Sequence, residues 1–475
     1  MNCPKCSAEI PDNSPNCPKC GAGLAANSHT DTPHPRPHPH PHHELHIAPL
    51  SERTNWGPRI FGAFLAVLAI AGAIWGFMRW KASRVEPVAI WASPPKPLAG
   101  LPAGGLGHTC TLTESGTILC WGNSELGQLA DTIGAPAGVP CAVCTQGQFT
   151  QLDAGANHTC ARRNDGSVLC WGANLFGQLG TPTTTECVTV RGRIPCALLP
   201  VQASVERVVS VSMGSDHTCA LGADSTLSCW GSDYRGQLGV TTMPRGVAVV
   251  HPQGNAKYIA VSSGLYHTCA IRPDGTMQCW GLNTSGQLGA ATTEQCGPTM
   301  ATRLPCSPHP NTLESRLRFK AVAAGGDHTC GLTADGEAYC WGKNRVGQLG
   351  NGATDDERVP VAVTGGRRYD EIAAGMDFVC ARTAEGAVWC WGSNMAGQVG
   401  VNDSTDHATP VQVTLPAPAL SIGTGIAHAC AVVQGPRVFC WGSGLEGQLG
   451  NGRRADSHIP VEAGLDLGNT PQPRR

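Results

Sequence analysis

Charge is scarce in this chain of 475 residues and neither sign prevails: Asp, Glu, Lys and Arg make up 14% of it, and the formal net charge is -2. With no basic surplus to attract phosphate, nucleic-acid binding is not expected. Catalytic signatures are missing as well. Acidic residues are scattered at turns, no Ser/His/Asp arrangement repeats a nucleophile's context, and no Gly-rich loop meets the phosphate-binding pattern, so no enzyme is expected. Long apolar stretches reduce to one, Ile60 to Met78. Glycine and cysteine, in contrast, are abundant, with 60 and 24 copies.

The cysteines are periodic. Seven times a cysteine is followed after nine residues by a second cysteine and then Trp-Gly, usually running on to Gly-Gln-Leu-Gly. The pairs are Cys110/Cys120, Cys160/Cys170, Cys219/Cys229, Cys269/Cys279, Cys330/Cys340, Cys380/Cys390 and Cys430/Cys440, and their second members stand 50, 59, 50, 61, 50 and 50 residues apart. A period near fifty marks a repeat architecture in which each unit is one small sheet. Within a unit, Asp335-Gly336 marks a tight turn between two strand-like runs. A three-residue loop with Gly336 in the left-handed conformation pairs Thr333 with Glu337, and stepping outward sets Cys330 opposite Cys340. Directly opposed residues of an antiparallel pair bring Cα atoms to about 4.5–5.5 Å, within reach of a disulfide. The opposed register, the recurrence and the even total all favour bonded cysteines over small buried hydrophobes. Metal binding is the other alternative, because His108, His158, His217, His267, His328 and His428 each precede a cysteine by two. Phe378 holds that place in the remaining unit, which a ligand could not tolerate, so the histidines are read as packed, hydrogen-bonded core groups.

The pattern Gly-x-x-His-Thr-Cys-Ala-Leu, then Asp-Gly, then Cys-Trp-Gly-x-Asn-x-x-Gly-Gln-Leu-Gly resembles the repeat of the regulator of chromosome condensation family. That resemblance implies an all-β, seven-bladed β-propeller over about residues 98–466. The paired cysteines depart from the nuclear member's pattern and point to a secreted or envelope variant. Later units carry a strand such as Val359–Val363 after Gly-Gln-Leu-Gly, whereas nothing comparable precedes the first hairpin. The strand Ile459–Ala463 is left over at the end, and it is expected to complete the first blade and close the ring.

The remainder of the chain suggests where such a ring sits. Ile60 to Met78 is uncharged and, at about 19 residues, long enough to cross a bilayer as a helix. It lies too far from the start to be a cleaved signal peptide. At the N-terminus, Cys3, Cys6, Cys17 and Cys20 form two Cys-x-x-Cys pairs that suit a tetrahedral structural zinc site, with two disulfides as the alternative. This segment resembles the short zinc ribbon at the N-terminus of many bacterial membrane proteins. Between ribbon and membrane, six histidines from His34 to His46 alternate with prolines, favouring an extended spacer that could also collect transition metal loosely.

The expected organisation is a zinc ribbon over 1–24, a disordered His/Pro-rich linker over 25–58, a transmembrane helix over 59–79, a Pro-containing linker over 80–97, the propeller over 98–466 and a disordered tail over 467–475. Thiolates that hold zinc prefer a reducing compartment and disulfides an oxidising one, which places the N-terminus in the cytoplasm and the propeller outside it, periplasmic or at the cell surface. Arg53 and Arg59 before the helix against Arg79, Lys81 and Arg84 after it tilt the other way by a single charge. Three further pairs, Cys141/Cys144, Cys187/Cys196 and Cys296/Cys306, lie in insertions between blades, where stapled loops on a rigid ring suit recognition. The expected function is a membrane-anchored, extracytoplasmic protein-binding or ligand-binding scaffold. The alternative is guanine-nucleotide exchange on a small GTPase, as in the nuclear family member; no exchange-factor contact residues can be matched here, and the disulfides and anchor do not fit a cytosolic propeller.

Overall fold

In a computed structural model, the structure describes residues 102–464, apart from 131–137, 139, 144–146, 190–191 and 242–246. Seven antiparallel sheets succeed one another along the chain, and each is built around one cysteine hairpin. In the fifth sheet the strands are Phe319–Ala324, His328–Thr333, Ala338–Gly342 and Glu357–Ala362, paired in that order from inside to outside. The turn between the middle two follows from Gly336, whose φ of 82° would strain any residue with a Cβ. Thr333 N donates to Glu337 O at 2.9 Å and Gly336 N to Thr333 O at 2.9 Å, which fixes the register and sets Cys330 against Cys340.

All seven hairpins repeat this register and all seven pairs are bonded: Cys110–Cys120, Cys160–Cys170, Cys219–Cys229, Cys269–Cys279, Cys330–Cys340, Cys380–Cys390 and Cys430–Cys440. Their Cα atoms lie 4.1 Å apart, closer than the expected range of about 4.5–5.5 Å. Counted outward from the hydrogen-bonded Thr333/Glu337 pair, the cysteines fall at a non-hydrogen-bonded site, where opposed residues approach most closely. The hairpin reading assigns each second cysteine one neighbour, whereas the blade supplies two. On the third strand Cys120 stands opposite Cys141 of the outer strand, Cys170 opposite Val201, Cys229 opposite Val250 and Cys279 opposite Asn311. Cys340, Cys390 and Cys440 face Val361, Val411 and Val461 in the same way. The sulfurs are sealed between neighbouring sheets, so each bridge clamps the two strands that form the middle of a blade. Blades two and four gain a fifth strand from their insertions, whereas among the described residues blade three has three strands and a single outer bridge, Cys229 to Val250.

One hydrogen-bond device joins each blade to the next. The indole Nε1 of each hairpin tryptophan donates to the carbonyl of the Gln in the preceding blade's Gly-Gln loop, as Trp171 does to Gln128 O at 2.7 Å and Trp341 to Gln287 O at 3.0 Å. The same carbonyls accept from threonine hydroxyls, such as Thr218 on Gln178 O and Thr329 on Gln287 O, both at 2.9 Å. Because these hydroxyls donate to carbonyls, they accept from the imidazole Nε2–H one blade back: His158 on Thr218, His217 on Thr268 and His267 on Thr329, all at 2.9 Å. Five of the six repeat histidines are therefore buried hydrogen-bond donors, as their placement in the repeat suggests, and His328 is buried without such a partner. Burial pushes His108, His158, His217 and His267 down to about 3, so they stay neutral. Glycine three residues ahead, as at Gly155, is required because the imidazole occupies the space a Cβ would fill.

The ring does not close through the C-terminal strand in the way the sequence suggests. Ser457–Glu462 pairs with Arg437–Gly442 and is the outer strand of the seventh blade. The first blade instead has its own inner strand, Pro102–Gly104, paired to His108–Leu112, and an outer one, Cys141–Ala142. Closure is made by contacts between the first and last blades rather than by a shared strand, and Ile426 N donates to Gly105 O at 3.1 Å across the seam. Trp121 Nε1 donates to Gln448 O at 2.8 Å, and Thr109 Oγ1 lies 2.7 Å from His428 Nε2. Three residues, Pro-Ala-Gly, suffice for the inner strand because it needs only small side chains facing the axis.

Candidate binding face

In an antiparallel meander the connection from first to second strand and that from third to fourth emerge at the same end. One end of the ring is thus built from the Gly-x-x-His turns and the loops that follow Trp-Gly; the other is built from the hairpin tips. The two ends differ in chemistry. Six of the seven hairpin tips carry an exposed acid, Glu114, Asp165, Asp224, Asp274, Asp335 and Glu385. Several of these acids are turn-formers: Asp165 Oδ1 accepts from Ser167 N at 2.8 Å and Oγ at 2.6 Å, and this bonding holds its carboxyl below the usual range. The opposite end carries apolar side chains that no described residue covers: Met395 is 80% exposed, Leu445 62%, Leu175 52% and Leu106 49%, with Met376 and Tyr234 also exposed there. Isolated exposed hydrophobes are ordinary, and Val209 and Leu420 are exposed near the hairpin-tip end, but the larger set on the loop face marks it as the candidate interaction surface.

The two disulfide-stapled insertions rise from that same end. In blade two, Ala173 at the top of the third strand pairs with Cys196, so Gly192–Pro195 and the partner strand Thr185–Thr189 extend beyond it, closed by Cys187–Cys196. In blade four, Leu282 pairs with Cys306, and Glu294–Cys296 pairs with Leu304–Cys306 under the Cys296–Cys306 bridge. Arg235 of blade three braces the second hairpin, its Nη1 donating to Thr302 O at 2.6 Å and Cys296 O at 3.2 Å. Between the hairpins Phe176 and Tyr234 meet edge to face, with centroids 5.6 Å apart.

A channel of about 270 Å³ runs down the axis from this end. At the register opposite the first cysteine of each hairpin, its wall presents Ala103, Asp153, Ser212, Ser262, Ala323, Ala373 and Gly423. Asp153 is the one charged residue among the described lining. Its Oδ2 accepts from Met213 N at 2.8 Å and its Oδ1 from its neighbour Ala154 N at 2.9 Å. Burial outweighs these two bonds and raises its carboxyl to about 6. Sequence reasoning missed Asp153 because a lone acid among scattered ones gives no signal until the register is known. It missed Asp233 for a similar reason: it stands where other blades have Asn, and burial raises it to about 7.

Nine of the ten cysteine pairs read from the sequence within the ring form among the described residues, the two insertion bridges Cys187–Cys196 and Cys296–Cys306 included; Cys144, and with it the Cys141/Cys144 pairing, lies outside them. So do the four-cysteine zinc site, the His-rich linker and the Ile60–Met78 span. Among the described residues no helix is long and apolar enough to cross a membrane, and no group of three or more metal-ligating side chains gathers.

These features define a seven-bladed propeller with one apolar, loop-elaborated face. The chain belongs to the regulator of chromosome condensation (RCC1) repeat family, whose repeat models match residues 103–128 and then, in overlapping stretches, 149–237, 258–432 and 437–471. Human E3 ubiquitin-protein ligase HERC2 is 29% identical over 259 residues, a stretch that is 54% of this chain but 4% of the ligase, so the chain spans a small fraction of that relative's length. Among solved structures, human WBSCR16 has a TM-score of 0.63 at 20% identity, covering 74% of this chain and 95% of that one. Prp20p of Saccharomyces cerevisiae, described for its binding to Gsp1p and histones, has a TM-score of 0.58 at 21% identity, covering 68% and 80%. At these identities the likeness is one of fold.

Proposed function

We propose that the chain is a membrane-anchored scaffold whose propeller lies outside the cytoplasm and binds a protein partner through its apolar face. The observation that carries this reading is the coincidence, at one end of the ring, of uncovered Met395, Leu445, Leu175 and Leu106 with two projecting, disulfide-stapled hairpins. The strands are consumed in packing blade on blade, so recognition falls to these loops. Unbranched methionine suits a surface that adapts to its partner. The bonded cysteines support an oxidising compartment, and the apolar Ile60–Met78 run supports the anchor. The four N-terminal cysteines Cys3, Cys6, Cys17 and Cys20 fit structural zinc by donor type and spacing, a closed site with no open coordination position.

The test combines topology with binding. A membrane-impermeant alkylating reagent applied to intact cells after reduction should label the partly exposed insertion cysteine Cys296 and spare the N-terminal four. Met395→Ser with Leu445→Ser should lose partner retention without lowering the melting temperature. Labelling restricted to the N-terminal cysteines would reverse the topology. Acceleration of GDP release from a small GTPase of the same organism by about tenfold or more would replace the scaffold with an exchange factor.

A further inference from the structure

We propose that the axial channel is a binding site for an alkylammonium group, such as a lysine side chain, seated on Asp153. This goes beyond the scaffold reading and concerns the lumen rather than the outer face. The channel is lined about equally by polar and apolar surface and carries one anionic side chain, Asp153, among the described lining. Its walls on blades five to seven are small or aliphatic, with Ala323, Ala373, Gly423, Ile372 and Ile422 available to a methylene chain. On the facing side stand Asp153, Ser212 and Ser262, a carboxylate and two hydroxyls at the same level. An ammonium donates hydrogen bonds that the carboxylate of Asp153 can accept, whereas a carboxylate ligand would meet it with like charge.

Asp153 is not needed for the fold in the way its position suggests. One blade on, Ser212 Oγ accepts from Ser263 N at 2.9 Å, and in the next Ser262 Oγ accepts from Ala324 N at 2.9 Å. Serine therefore makes the same inter-blade clasp that Asp153 makes to Met213 N, without a buried charge. The carboxylate keeps acceptor capacity on both oxygens beyond its two amide bonds, and no cationic side chain among the described residues pairs with it. A charge placed where a hydroxyl suffices, facing an open lumen, lacks only its counter-ion. The turns at the mouth reinforce the sign: they carry Asp216, Asp327 and Asp377 and no Lys or Arg. Lys343 reaches in from the neighbouring loop to pair with Asp377 and also acts on Asp327, so three acids face one lysine at these turns.

Isothermal titration of the full-length chain with n-pentylammonium and with an acetylated, amidated Gly-Gly-Lys-Gly-Gly peptide tests this. Both probes should bind, and the peptide with norleucine in place of lysine should not. Asp153→Ser should keep the melting temperature and weaken both probes by about tenfold or more. A peptide that binds much tighter than pentylammonium identifies the source as a partner's lysine, and equal affinities identify a free amine. The proposal fails if neither probe binds at about 20 mM, a concentration that would populate even a weak site, if norleucine binds as well as lysine, or if Asp153→Ser binds like the parent. Should Asp153→Ser be unfolded, Asp153→Asn, which keeps the shape and an acceptor for Met213 N, is read by the same criteria.

Discussion

Replacing Asp233 by Asn should make the propeller more stable in alkaline solution and change it little in acid. In blades two, four, five and six the equivalent asparagine closes the loop after Trp-Gly from both sides. Asn344 Oδ1 accepts from Leu349 N at 2.9 Å while its Nδ2 donates to Ala353 O at 3.0 Å, and Asn394 does the same with Val399 N and Asp403 O, both at 2.9 Å. Asp233 reproduces the first bond, to Leu238 N at 2.9 Å, but can donate only when protonated. Burial accordingly raises its carboxyl from 3.8 to about 7. A folded state that holds the proton more tightly than the unfolded chain is favoured at low pH; that contribution is complete below about 4 and is lost as pH rises to about 7. The ceiling on the loss is about 4 kcal/mol for a shift of this size, and water reaching the loop reduces it to about 2–4 kcal/mol. The amide carries no charge and donates at every pH. At pH 8 Asp233→Asn should therefore raise the melting temperature by about 4 °C, taking unfolding entropy in proportion to a ring of this length, and at pH 4 by about 1 °C or less. Thermal melts followed by tryptophan fluorescence across that range provide the measurement. Equal shifts at both pH values, or destabilisation at pH 8, would refute the reasoning.

Other outcomes are expected on different grounds. His328 is fully buried, and neither ring nitrogen has a hydrogen-bond partner, because the threonine of the next repeat is replaced by Val379. Val379→Thr would supply a hydroxyl that accepts from His328 Nε2 and donates to Gln348 O, and should stabilise by about 1 kcal/mol in denaturant melts; no gain would remove the seam relay from the account of stability. Cys330→Ser opens a short loop and should cost about 2–3 kcal/mol while the ring survives, with free thiols at most hairpin positions by non-reducing mass spectrometry contradicting the bridges. Gly155→Ala pushes a methyl into the space of the His158 imidazole and should cost about 1–3 kcal/mol, against less than 1 for Gly464→Ala, where a Cβ meets nothing nearer than 3.8 Å and φ is not positive. A peptide of residues 1–24 should bind one zinc and lose it to a chelator; unchanged affinity in Cys17→Ser would reject the four-thiolate site.

The ring was legible because its rules are local. A hairpin's register is fixed by its turn, so Gly336 and its equivalents determine that cysteines ten apart must face each other, and seven repetitions imply closure. Which sheet claims a strand is not local. Ile459–Ala463 looks the same whether it joins the blade before it or the one across the gap, and Pro102–Gly104, with no branched side chain, does not look like a strand at all. For the same reason the second partners of Cys120, Cys170, Cys279, Cys390 and Cys440 could not be read: they lie on outer strands reached only after a loop of variable length. The binding face was half legible: the insertions showed in the stretched spacings, whereas exposure of Met395 and Leu445 depends on which end their loops occupy. Asp153 and Asp233 required the superposition of one blade on another, since each matters only by differing from its counterparts.

Each blade is a single uninterrupted stretch of chain, inner strand first and outer strand last, and the first and last blades share no strand, meeting through side chains and a few loop backbone bonds such as Ile426 N to Gly105 O. The molecule is thus a string of interchangeable cassettes rather than a loop sewn shut by its own end. New termini cut between any two blades, with the old ones joined by a linker, would leave all seven sheets intact, and a duplication or loss of about fifty residues would add or remove one whole cassette without disturbing the pairing inside the others. Ring size is then decided at the seams, by how far each tryptophan and threonine can turn its blade on the preceding carbonyl, so repeats of this kind can be reshuffled by recombination and still fold blade by blade.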